Sequence, residues 1–201
     1  AMGGRGTDVA REAASLVLLD DDFTSIVGAI RLGRRIYDNL RKAIQYIVAV
    51  HIPIAGLALL PFPLGLPLML MPVQIALLEM VIDPACSVVF ESEREEKDVM
   101  RRLPRKPGTP VLPRTTALWA AAQGAAALAV VALALLLGAR ARMPADDLRA
   151  FVFTTLVLMN IGLILVNCSF GSSLSDAILR PHRALWALFA AVFAVLATAL
   201  Y

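Results

Sequence analysis

The amino-acid sequence predicts an all-α membrane protein, a bundle of about five transmembrane helices preceded by a long cytoplasmic stalk helix. Hydrophobic residues make up 59% of the 201 residues, above the roughly 45–50% of an ordinary soluble domain. Charged residues amount to only 17% and fall in blocks between long apolar runs. A run of ~20 apolar residues is long enough to cross a bilayer as a helix. We therefore expect a multi-pass protein of the cell membrane.

The apolar runs divide the chain into a stalk and a transmembrane domain. Residues 23–42 combine a helical stripe of apolar residues with a collar of basic ones, which predicts an amphipathic stalk helix continuous with the first span. Pro53 should bend this helix inside the membrane. Within the transmembrane domain, 43–201, the expected spans are about 43–60, 70–90, 116–138, 150–170 and 184–201.

Basic residues flank the expected spans, and they indicate how the chain is oriented. Lysine and arginine are enriched in cytoplasmic loops, so the N-terminus and the loops 91–115 and 171–183 are expected in the cytoplasm. The net charge of +3 is small. Membrane topology explains these residues better than a nucleic-acid partner does.

The second expected span, MPVQIALLEMVIDPACSVVF, carries two acids. A charged residue at the centre of a span costs about 2.5–3.5 kcal/mol, so two of them indicate a function. Glu79 and Asp83 are four residues apart and share one face of a helix. Pro84 follows directly, and its missing N–H and its ring should break or kink the helix opposite the Met80 carbonyl.

Carboxylates beside freed carbonyls form an oxygen-rich cluster, which suits a hard cation held at membrane depth. This interpretation requires the acids to face protein rather than lipid. The alternative is a pair of acids satisfied by protonation or by neighbouring helices. His51, close to Pro53, is a candidate ligand or a polar contact that fills the gap left by the proline. Asn160 in the fourth span is a candidate ligand or a source of interhelical hydrogen bonds.

Residues 1–22 are soluble in character. Thr7 or Asp8 can cap a short helix that runs through Ala14. The run 16–19, ended by three aspartates, is consistent with a buried strand. One loop, one helix and one strand cannot bury a core of their own, so we expect these residues to belong to a larger domain.

Three runs together resemble one family. AMGGRGTDVAREAASLVLLDDDF is similar to the stretch that closes the phosphorylation domain of P-type cation ATPases, and GRRIYDNLRKAIQY resembles the stalk leading into their fifth membrane helix. PVQIALLEMVIDP resembles their sixth helix, where calcium pumps commonly show P-x-Q-x-x-x-x-N-x-x-x-D. The resemblance implies the C-terminal part of a calcium-pump-like ATPase, from helix five to about helix nine, with 1–22 as a small remnant of the α/β phosphorylation domain.

In this family, ATP phosphorylates an aspartate of a D-K-T-G-T motif, and the cycle drives a cation through a site among helices four, five, six and eight. The chain contains no D-K-T-G-T, G-D-G-x-N-D or P-E-G-L-P. We therefore expect it not to hydrolyse ATP by itself and to hold no cofactor, ATP and magnesium belonging to the full-length pump. The implied partners are the transported cation, the bilayer, and the missing N-terminal part with its actuator, nucleotide and phosphorylation domains and helices one to four. The alternative is a truncated, non-pumping membrane scaffold or modulator.

The resemblance also implies ligands. Asp83 matches the sixth-helix aspartate that bridges the bound ions in calcium pumps, and Glu79 stands where those pumps usually have asparagine. On the fifth helix, His51 takes an asparagine position and Ile54 replaces a ligating glutamate. Asn160 aligns with an eighth-helix glutamate. A divalent, calcium-like site is the first expectation, and magnesium, manganese or protons stay open because calcium prefers about six to eight oxygen ligands.

Overall fold

A computed structural model describes residues 1–105 and 108–168, together with Trp186 and Ala190. These residues form α-helices without a strand, which confirms the all-α prediction. The predicted span 184–201 and the loop 171–183 lie outside the described residues, apart from Trp186 and Ala190. The helices are α1 (Asp8–Ala13), α2 (Thr24–Leu59), α3 (Pro72–Pro84), which a π-helical segment (Ala85–Phe90) continues, α4 (Arg114–Arg140) and α5 (Ala145–Cys168).

Within the described part, four helices are long and apolar enough to cross a membrane. They correspond to the first four predicted spans, which confirms a membrane protein. They are α2, α3 together with its π-helical segment, α4 and α5.

The longest helix, α2, joins the predicted stalk and the first span without a break. At a rise of about 1.5 Å per residue its 36 residues extend about 54 Å, against about 30 Å for the hydrocarbon core of a bilayer. Pro53 lies inside the helix, where it offers no N–H to the Ala49 carbonyl. That carbonyl is covered by α4 at Gly124, where a Cβ would lie 2.5 Å from the Ala49 oxygen. Only glycine permits this approach.

The transmembrane helices keep a regular order of contacts. Contacts between α2 and α4 show that the two helices run parallel: Arg41 with Thr116, Ala49 with Gly124, and Gly56 with Leu128. Contacts between α4 and α5 show that these two are antiparallel: Gln123 with Asn167, and Gly138 with Leu148. Small residues at these contacts let the backbones approach closely, as is typical of helix packing in membranes.

One apolar core lies between these helices. The rings of Tyr46 on α2 and Phe90 in the π-helical segment pack with their centroids 5.3 Å apart. The other large, fully buried apolar side chains come from the same helices and the loop before α3: Leu57, Met69, Leu78, Leu135, Leu156 and Ile164.

Ala1–Asp38 and Arg94–Pro104 form one compact unit, and Asn39–Glu93 with the chain from Arg105 onwards forms another. In the first unit α1 begins as predicted, with the Thr7 hydroxyl accepting a hydrogen bond from the Ala10 N–H at 3.2 Å. The predicted strand at 16–19 is wrong. Leu18 makes only an isolated parallel bridge with Met2, and Leu16 and Leu19 are exposed. A single bridge has no further strand beside it and cannot form a sheet.

Arginines of the first unit fasten the segment Arg94–Pro104 to α2. Arg34 donates to the carbonyls of Val99 and Arg102, both at 2.8 Å. Arg102 in turn contacts the carboxylates of Asp38 and Asp98, both at 2.6 Å. The hydrogen bond that Arg102 donates lowers the pKa of Asp98 below its ordinary value of 3.8.

Replacing Gly124 by alanine should destabilise the protein, because the new Cβ would meet the Ala49 backbone oxygen, which cannot move aside. Overpacking of this kind costs about 1–3 kcal/mol. The midpoint of thermal unfolding of the detergent-solubilised protein should therefore fall. Gly162→Ala on α5 is the matched control, since a Cβ there meets nothing within 4 Å. Equal midpoints for the two variants would contradict the close approach of α4 to α2.

Acidification should loosen the turn Asp98–Arg102, which the ion pair between its two end residues stabilises. The pKa of Asp98 is lowered in the folded protein, so its contribution to stability is present above the ordinary pKa and is lost as the pH falls through the folded pKa. Amide hydrogen exchange of residues 98–102, corrected for intrinsic rates, should show less protection in strong acid than at pH 5. Arg102→Gln should show the lower protection at both pH values. Wild-type protection that stays constant between pH 5 and pH 2 would contradict this assignment.

Candidate ion-binding site

The two acids of the second span lie on the exposed side of α3. Glu79 and Asp83 are both exposed and one helical turn apart. Leu78 and Ile82, each next to one of the acids in sequence, are buried in the core. The helix is therefore two-sided: one face packs in the bundle, and the other presents both carboxylates together.

The chain does not unwind after Asp83. Pro84 and Ala85 keep right-handed helical backbone angles, and the hydrogen bonding changes from the α to the π pattern at this point. The predicted break is thus a change of helix type. Pro84 offers no N–H to the Met80 carbonyl, and the π pattern begins at the next residue. The Ser87 hydroxyl donates to the Asp83 carbonyl at 2.7 Å. Such π-helical turns are frequent at functional sites.

Asn160 lies on the buried face of α5 with no exposed surface. Neither its amide oxygen nor its amide nitrogen has a hydrogen-bond partner in the described part of the chain. The interhelical hydrogen bond of this helix comes instead from Asn167, whose amide donates to the Gln123 side chain on α4 at 2.9 Å. A buried amide without a partner is costly, so Asn160 is available to a ligand or a water.

His51 lies on the exposed face of α2. Its Nδ1 is 2.8 Å from the carbonyl of Ile47, one turn earlier in the same helix. The carbonyl that Pro53 leaves without its usual partner is that of Ala49. His51 therefore does not fill the gap at the proline, and its role as a ligand stays a prediction.

The structure brings Glu79 and Asp83 together on one face of one helix, and it places Asn160 among buried residues of α5. No three side chains of the histidine, cysteine, aspartate and glutamate types group around a common point among residues 1–105 and 108–168. A calcium site here would therefore need donors other than carboxylate, thiolate and imidazole groups, such as carbonyl or amide oxygens, because calcium takes about six to eight oxygen ligands.

Sequence reasoning missed the buried polar residues of α2. Lys42 belongs by sequence to the basic collar of the stalk, yet it is completely buried. Asn39, Gln45 and Tyr46 are buried as well. These positions recur every three or four residues along with Ala49, so the helical period of the buried face was the signal that could have found them.

The comparisons with known proteins agree with this architecture. Residues 67–201 match the family described as "Cation transporting ATPase, C-terminus". A calcium-transporting ATPase of Bacillus subtilis is 44% identical over 113 residues, which covers 56% of this chain and 13% of that protein. The human sodium/potassium-transporting ATPase subunit alpha-4 is 44% identical over 111 residues, which covers 54% of this chain and 11% of that protein.

The alignments cover only 13% and 11% of these two relatives, so the chain spans a small part of their length. The family match, in contrast, covers most of the chain and includes α3, the π-helical segment, α4 and α5. The chain therefore belongs to the cation-transporting ATPase C-terminal family, the C-terminal membrane region of P-type cation ATPases.

Proposed function

We propose that this chain is the cation-binding membrane part of an ATP-driven pump, with Glu79 and Asp83 as its anionic ligands. The observation that carries this proposal is the placement of both carboxylates on one face of α3, directly before Pro84 and the π-helical segment. The face is polar in the middle of an otherwise apolar span. Among the described spans, only Pro72–Phe90 carries two acids away from its ends.

Two carboxylates on a membrane span need a positive partner or a protein cover, because hydrocarbon offers neither. Among residues 1–105 and 108–168, both carboxylates lie on the exposed face of α3. The membrane helices of the pump that lie outside this chain would cover this face. The transported cation would then neutralise the carboxylates in a site between those helices and α3.

A divalent cation of the calcium type fits the donors first. Glu79 and Asp83 offer hard oxygen atoms, which calcium, magnesium and manganese all accept. The amide of Asn160 is buried and has no hydrogen-bond partner among the described residues, so it would serve as a donor inside the bundle, apart from the exposed face that carries the two carboxylates. The relative from Bacillus subtilis is named for calcium and the human relative for sodium and potassium, so the ion has to be identified by experiment, with protons included.

The long α2 supplies the mechanical connection. It continues from the stalk into the bundle over 36 residues without interruption. A tilt imposed at the stalk would therefore move the part of α2 that packs against Phe90 and the core. ATP, with magnesium, would supply the energy in the part of the pump outside this chain. Changing the position of α3 would change the cation affinity and the side from which the site is reached.

Asp83→Asn in the complete pump should abolish cation-stimulated phosphorylation by ATP, because a neutral amide replaces the carboxylate that neutralises the ion. Phosphorylation is measured on the purified pump with a panel of calcium, magnesium, manganese and several proton concentrations. Asp147→Asn is the matched control, because it replaces a carboxylate by an amide in the same way, but at the exposed start of α5. Normal stimulation of the Asp83→Asn pump by the wild-type ion would contradict the assignment.

Glu79→Gln should weaken cation binding without removing it, since Asp83 keeps one carboxylate in place. The cation concentration that gives half-maximal phosphorylation should rise roughly tenfold, equivalent to about 1.4 kcal/mol. The maximum phosphorylation level should stay within about twofold of the wild-type level at saturating cation. An unchanged half-maximal concentration would remove Glu79 from the site.

A further inference from the structure

One turn of α2, Asn39–Lys42, forms hydrogen bonds with α4, with α5 and with the residues that directly follow the π-helical segment. We propose that this turn is a polar clamp that positions the acid-bearing helix relative to α4 and α5, so that the helix moves together with α2 during transport. Asn39 is the positioning residue of the clamp for α3. This inference rests on the proposed pump function.

The first contact reaches the continuation of α3. The Asn39 side-chain amide donates to the carbonyl of Glu93 at 2.9 Å and to the carbonyl of Glu91 at 3.2 Å. Asn39 is only 6% exposed. Glu91 caps the π-helical segment Ala85–Phe90, and Glu93 lies two residues further on in the loop. One side chain therefore satisfies a backbone oxygen at the end of this helix and a second one just beyond it.

The second and third contacts reach α4 and α5. Arg41 donates to the Thr116 hydroxyl in the first turn of α4 at 2.6 Å. The Lys42 ammonium donates to the carbonyl of Cys168, the last residue of α5, at 3.0 Å. Lys42 is completely buried, and a buried ammonium is stable only where it is paired or hydrogen-bonded.

The clamp acts at a short distance from the carboxylates. Asp83 lies seven residues before Phe90 in a helix that stays continuous through Pro84, which corresponds to about 10 Å along the axis. A displacement of the helix end at Glu91 therefore moves Asp83 as part of the same continuous helix. Because α2 holds this end and the turn after it through Asn39, a movement of α2 either carries the helix with it or breaks the two hydrogen bonds.

The chemistry of the turn favours this role over simple packing. Apolar or small side chains suffice to hold membrane helices together, and a buried charge is weak evidence for stability. Directional hydrogen bonds fix one relative position of two helices, whereas apolar contacts slide. Polar residues at this buried turn therefore indicate that a defined position is needed.

Asn39→Asp in the complete pump tests the clamp, because aspartate has the same shape but no N–H to donate. It would also place a carboxylate against the carbonyls of Glu91 and Glu93. Amide hydrogen exchange of residues 85–93 should increase, and the number of cations transported per ATP should fall at least roughly twofold. The maximum phosphorylation level should stay at the wild-type value, since the ligands are unchanged. Asn39→Ala should likewise increase the hydrogen exchange of residues 85–93 and lower the number of cations transported per ATP. Because alanine carries no charge, this result would exclude an effect of the new carboxylate alone.

Leu40→Ala in the same turn is the matched control, because Leu40 is exposed and apolar. It should leave hydrogen exchange and transport per ATP unchanged. The clamp is overturned if Asn39→Asp leaves the exchange of 85–93 unchanged, or if exchange rises while transport per ATP stays at the wild-type value. Failure of the proposed function looks different: no cation would stimulate phosphorylation of the wild-type pump, and the inference about coupling would then be overturned together with it.

Discussion

Polar groups inside a bilayer must find partners within the protein, because hydrocarbon offers none. The two prolines in the interior of the transmembrane helices, Pro53 and Pro84, each remove one backbone donor. The carbonyl opposite Pro53 is covered by the backbone of α4 at Gly124, which has no side chain. At Pro84 the helix changes to the π pattern and Ser87 donates to the Asp83 carbonyl. The helices thus stay continuous where an isolated helix would be expected to break.

The same constraint separates two groups of polar side chains. Asn39 and Lys42 have their hydrogen bonds inside the bundle, with carbonyls at or just beyond the ends of neighbouring helices. Glu79 and Asp83 lie on the exposed face of α3. The first group holds the described helices to one another. The second group is complete only with a cation and with helices from the rest of the pump, as the proposed function requires.

Much of the fold could be predicted from the sequence, because apolar length and helical period decide it. The four described spans, the continuous α2 and the Thr7 cap all follow from local patterns. The strand at 16–19 could not be judged locally, since a strand exists only with neighbours. The spacing of Glu79 and Asp83 predicted their common face, but not which side of α3 is buried. The burial of Lys42 depends on the packing of α5 against α2, which a basic collar in the sequence does not reveal.

The decisive measurement is equilibrium binding of the transported cation to the complete pump without ATP. We expect saturable binding to the wild-type pump and to the Asp147→Asn variant. We expect loss of that binding when Glu79→Gln and Asp83→Asn are combined, with the thermal unfolding midpoint unchanged. Wild-type affinity and stoichiometry in the combined variant would contradict the claim that these two carboxylates hold the cation.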